Sequence, residues 1–95
     1  MSAFMIVKMN FRDLGWSENY RVNVPEILRR YGGEYLHQGT KVERFEGDAT
    51  TPDIVAILTF PSLDAAREFM NSSEYAPFRD ARIAGADADI LVFET

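Results

Sequence analysis

Five side chains have the types and spacing to do chemistry: Tyr20, His37, Glu46, Tyr75 and Arg82. Tyr75 and Arg82 are seven apart, so on a helix they share a face two turns from each other. Phe78 lies between them at i+3. Such a stripe would present a phenol and a guanidinium inward, where an anionic small molecule would suit them. The competing reading is a packed aromatic whose hydroxyl is merely satisfied. Glu46 precedes Gly47 at an expected strand end. A carboxylate there could orient a ligand, or form a buried ion pair with Arg82 or Arg79, whose forks fit it well. Gly47 suits a turn that needs positive φ. His37, expected mid-strand, titrates near neutrality and could serve as a general base. It has no evident triad partner, and a surface or interface histidine is the alternative. Tyr20, with Trp16, opens the first helix and could wall a cleft between that helix and the sheet. Simple core packing is the other reading.

Much other chemistry is excluded. The chain has no cysteine and one histidine, so it offers no thiol nucleophile, no disulfide and no multi-histidine metal site. It carries no dinucleotide fingerprint, phosphate loop, nucleophile elbow or zinc-protease motif. Glu43 and Glu46, three apart on a strand, would face opposite sides and make a poor acid–base pair. No cofactor and no metal is expected. A net charge of −5 argues against nucleic acid, because phosphate neutralisation needs a basic surface. No stretch approaches the ~20 apolar residues of a membrane span. Met1 to Met9 is apolar but short and interrupted by Lys8, which reads as a strand and not a signal peptide. The default is a soluble cytoplasmic protein.

The elements that must position these residues follow from periodicity. Residues 4–9 alternate, with Met5, Val7 and Met9 on one side and Phe4, Ile6 and Lys8 on the other. A helix follows, with Ser17 as N-cap and Tyr20, Val24, Ile27, Leu28 and Tyr31 on one face. Pro25 predicts a kink or a restart within it. Gly32-Gly33 ends it, with Gly32 in the left-handed conformation. Glu34 to Glu46 reads as a long strand with a bulge or bend near Gly39. The apolar run 54–60 suits a central strand, stopped by Pro61. Ser62 caps a second helix whose inner stripe is Leu63, Ala66, Phe69 and Met70. A further short helix spans Glu74 to Ala84, with Pro77 in its first turn and Tyr75, Phe78 and Ile83 as anchors. Ala88 to Glu94 forms the last strand.

The order β-α-β-β-α-(α)-β is that of an α+β, ferredoxin-like split βαβ fold with a four-stranded antiparallel sheet. Right-handed crossovers put both helices on one sheet face. All 95 residues serve this one domain, which is too small to cover the other face of its own sheet. An exposed apolar face of that size is costly, so a homodimer through the sheet face is expected.

Four local patterns then carry a family resemblance. Tyr31-Gly32-Gly33 looks like that family's Tyr-Gly-Gly, and Glu43-Arg44-Phe45-Glu46-Gly47 resembles its Glu-x-Leu-Glu-Gly. Phe60-Pro61-Ser62 with Ala65-Ala66 resembles its Phe-Pro-Ser and Ala-Ala pair. Ser72-Ser73-Glu74-Tyr75 is similar to its Ser-Pro-Glu-Tyr, with Arg82 where a later arginine recurs. The family is the domain of unknown function 1330 (DUF1330), in the dimeric α+β barrel superfamily. The chain departs from it in Phe45 for leucine, Ser73 for proline and Glu34 for a usual arginine. The resemblance implies a ferredoxin-like fold and a dimer with a barrel-like core, and assigns no activity. Relatives in the superfamily include monooxygenases and isomerases acting on aromatic or lactone compounds.

Two functional readings follow. In one, an anionic or aromatic small molecule binds between helices and sheet, and enzymatic activity is left open. In the other, a non-enzymatic interaction domain uses its motif residues only to stabilise the fold.

Overall fold

The computed structural model describes residues 2–95. Strand β1 (Ala3–Phe11) alternates as its sequence dictates. Ala3, Met5, Val7 and Met9 are buried, and the residues between them are half-exposed. Helix α1 (Ser17–Arg30) runs unbroken through Pro25. The proline removes the donor to the Arg21 carbonyl, but Arg21 is exposed, so water can replace it. Trp16, not Ser17, occupies the N-cap, and the Ser17 hydroxyl donates back to the Leu14 carbonyl. Gly32 takes φ +80°. Gly33 N–H bonds the Leu28 carbonyl and Gly32 N–H the Arg29 carbonyl, which together make a Schellman close.

Strand β2 (Glu34–Gly39) is much shorter than the expected run to Glu46. Gly39 pairs with Val55, close to the start of β3 (Ile54–Phe60). Before β3, Asp53 gives its N–H to the Met9 carbonyl and Pro52 has none to give, so the ladder stops. The bulge falls between Tyr35 and His37, nearer the strand's start than expected.

Helix α2 (Leu63–Met70) is capped by Ser62, whose hydroxyl accepts the Ala65 N–H at 3.0 Å. Helix α3 spans Ala76–Gly85, with Ser72 fastening the turn before it: its hydroxyl donates to the Phe69 carbonyl and accepts the Tyr75 N–H. Ile83, expected as an anchor, is 54% exposed. The buried stripe of α3 runs through Arg82 and Gly85, which turns Ile83 outward. A Cβ on Gly85 would fall inside the Trp16 indole, so glycine alone permits that packing. Strand β4 (Ala86–Glu94) completes the chain.

The four strands form one sheet, ordered β2-β3-β1-β4, and every neighbouring pair is antiparallel. The architecture is the ferredoxin-like split βαβ. The core lies between the helices and the face carrying Met5, Leu58 and Phe60. Among the described residues, no element covers the opposite face. There Phe4 meets Phe93 with ring centroids 5.4 Å apart, Ile6 pairs with Leu91 and Ile57, and Lys8 reaches Asp89 at 3.3 Å.

Candidate functional site

Between α1, the start of α3 and the inner sheet face lies a cavity of about 680 Å³, a size typical of small-molecule sites. Its floor is apolar because Met5, Val7, Ala56 and Leu58 point inward from β1 and β3. Phe69 closes one side, and Trp16 and Tyr20 come from the first turns of α1.

Polar groups converge at the α3 end. The Tyr20 and Tyr75 hydroxyls lie 2.5 Å apart, and either can be the donor. Arg82 directs its Nε–H to the Tyr75 oxygen at 3.4 Å. One phenolic proton closes the Tyr20–Tyr75 bond, so the other stays free to donate elsewhere. The rings reinforce this arrangement. Tyr75 stacks on Phe69 with centroids 4.3 Å apart and meets Tyr20 edge-on, while Tyr20 meets Trp16 edge-on.

Arg82 is 4% exposed, and no carboxylate forms a salt bridge with it among the described residues. A buried cation ordinarily has a counter-charge, because desolvating it alone costs several kcal/mol. Burial pulls the guanidinium's pKa down, but the Tyr75 and Tyr20 oxygens more than offset this and hold it above its usual value. Burial raises the Tyr20 phenol, and the neighbouring Tyr75 adds to the effect. Tyr35, still 43% exposed, is raised as well, by the partial cover of its ring and then by Tyr75. Tyr20 is therefore a neutral donor at physiological pH beside a permanent cation.

The five residues singled out from sequence separate as follows. Tyr20, Tyr75 and Arg82 come together, and all three line the cavity. His37 also borders it, but its register partner is Ile57, which places it on the sheet's open side. Glu46 lies elsewhere, exposed in the segment 40–53 between β2 and β3. Its expected ion pair with Arg79 or Arg82 is absent. Arg79 instead reaches Asp80 and donates to the Met70 carbonyl. Sequence reasoning missed Tyr35 and Gln38. Both pair with inward residues of β3, Leu58 and Ala56, and both line the cavity. The bulge at Leu36 shifts the alternation between them, so no constant phase through β2 reveals both.

The chain matches the family model described as "Domain of unknown function (DUF1330)" over residues 2–95, and it belongs to that family. No match emerges among curated proteins. Among solved structures it is similar to a protein of unknown function from Rhodopseudomonas palustris, at 20% identity and TM-score 0.83. That likeness covers 99% of this chain and 82% of the other. It is also similar to SnoaB, a cofactor-independent oxygenase from Streptomyces nogalater, at 14% identity and TM-score 0.69, covering 99% and 92%. A third similar structure is a dimeric ferredoxin-like protein of unknown function from Bacteroides fragilis, at 16% identity and TM-score 0.58, covering 99% and 96%. At these identities the likeness establishes the ferredoxin-like fold. No helix among the described residues is long and apolar enough to cross a membrane.

Proposed function

We propose that the cavity binds a small organic anion with an apolar, aromatic body. The observation that carries this reading is the buried Arg82 guanidinium, which reaches the cavity with no carboxylate of its own. A ligand oxygen would supply the missing charge and accept the spare proton of the Tyr20–Tyr75 pair. The apolar floor and aromatic walls would take the rest of the molecule. The anion is not a nucleic acid, since a chain of net charge −5 would repel a phosphate backbone. The ferredoxin-like neighbours include a cofactor-independent oxygenase, a precedent for small-molecule chemistry in this fold, but no residue here is assigned a catalytic step.

The test is a thermal-shift series at pH 7.5 that pairs aryl carboxylates and phenolates with neutral isosteres, such as benzoate with benzamide. The anions should raise Tm and the neutral partners should not, and Arg82→Met should abolish the response. Equal shifts from both classes, or none from any anion, would contradict anion recognition.

The competing reading makes Arg82 a structural tie. Its hydrogen-bond partner weakens that case. The bond to Tyr75, one residue before α3, stays within one segment, and among the described residues the Tyr20 oxygen of α1 is the one partner of Arg82 from another element. The tie between elements is Tyr20–Tyr75, which links α1 to the start of α3.

We further propose that the protein is a homodimer through its open sheet face. Support comes from the apolar composition of that face and from dimeric proteins among its structural neighbours.

A further inference from the structure

The segment 40–53 has no strand or helix, yet it is firmly fastened. Arg44 donates from Nη1 to the Glu46 carbonyl at 3.4 Å and from Nη2 to the Thr50 carbonyl at 3.2 Å. Gly47 turns the chain at φ +96°, a conformation other residues rarely adopt. The return limb is pinned to β1: Asn10 donates to the Thr51 carbonyl, and the Phe11 N–H donates to the Asp53 carboxylate. The Arg44 clasp around the turn holds Phe45 89% exposed, the most exposed large apolar residue in the described chain. Holding a phenylalanine in water on an ordered turn is unfavourable unless something covers it.

Lys41, Val42 and Glu43 line a shallow depression whose other walls include Val55 and Ile57 of the open face. The segment therefore rises beside that face as a rim. A partner seated on the face would meet the rim.

The area of the face argues for the same partner. Four strands of about seven residues span roughly 19 by 24 Å, a flat projection of about 450 Å². A stable interface takes about 800 Å² from each partner. Even allowing for surface relief, the sheet face alone is small for a lasting dimer, and a projecting arm from each copy adds to it.

We propose that residues 41–46 form an arm that grips a second copy of this chain, with Phe45 as its apolar anchor. A two-fold axis places each arm on the other copy, so one substitution removes two anchors. The arm rests on the sheet-face dimer proposed above, and the experiment separates the two. Sedimentation equilibrium of the full chain would be run on wild type, Phe45→Ser, Phe45→Leu and Ile57→Asp. The arm predicts a dimer whose Kd rises about 100-fold in Phe45→Ser and less than about fivefold in Phe45→Leu, with unchanged circular dichroism. Ile57→Asp should be monomeric. A wild-type dimer with unchanged Kd in Phe45→Ser overturns the arm and leaves the sheet-face dimer standing. An equal loss in Phe45→Leu overturns the apolar anchor. A monomeric wild type overturns the dimer itself, and a dimeric Ile57→Asp overturns its placement on the sheet face.

Discussion

Under the helices, Met5, Leu58 and Phe60 are almost wholly removed from water, while on the opposite face Leu91 and Phe93 are 54% and 52% exposed. Both sets are large apolar residues on antiparallel strands of one sheet, so composition does not separate them. What separates them is what lies above. The helices cover one face, but incompletely: at the α3 end a cavity remains, edged by phenols and a guanidinium. The open face has no cover among the described residues and holds an exposed ion pair, Lys8–Asp89, among its apolar residues. The covered face carries a polar pocket, and the uncovered face is apolar around that one ion pair.

Ile57 and Leu58 are sequence neighbours on opposite faces, so they give the sharpest contrast. Leu58→Ala should cost about 2–5 kcal/mol by chemical denaturation, the usual range for a buried leucine. In a monomeric Leu91→Asp background, Ile57→Ala should cost less than about 1 kcal/mol. Equal costs would mean that the two faces are not differently covered. Next in size, Gly85→Ala drives a methyl into Trp16 and should cost about 1–3 kcal/mol, with a shift in indole fluorescence. An unchanged spectrum would show that Trp16 does not depend on that close approach.

The phenols predict a pH effect confined to the covered side. Burial holds Tyr20 well above the ordinary value of 10.0 and the partly covered Tyr35 less firmly so, and the unfolded chain therefore ionises them first. The stability they contribute is fully present below that value and is lost as pH rises through their folded-state pKa values. Tm should therefore decline above pH 10 more steeply in wild type than in Tyr20→Phe. The smallest effect belongs to the open side. A double-mutant cycle on Lys8 and Asp89 in the monomeric background should give no more than about 1 kcal/mol, as exposed pairs do. A larger coupling would mean that the pair is shielded even without a partner.

The sequence made much of this legible where one periodicity held. The β1 alternation, the Gly32 close of α1 and the Ser62 cap of α2 are all local chemistry, and all appear as expected. Reading failed where a long-range partner decided the outcome. β2 stops at Gly39 because Asp53 turns its N–H to β1 and Pro52 has none, and neither is visible from within β2. That truncation moved Glu46 off the sheet and away from Arg82. Tyr75 and Arg82 were legible from their seven-residue spacing. Arg82's want of a carboxylate was not, because only the folded chain shows which acids fail to reach it.

If Arg82 is held for a ligand and not for the fold, the melting temperature of Arg82→Met without ligand will show it. Arg82 has no carboxylate partner among the described residues and its hydrogen bond to the Tyr75 oxygen is long, at 3.4 Å, so an apolar side chain of similar reach breaks no ion pair there. We expect Tm to hold to within about 1 kcal/mol, or roughly 4–8 °C, together with loss of the thermal response to aryl anions. A larger fall in Tm would contradict the account and make Arg82 a structural tie.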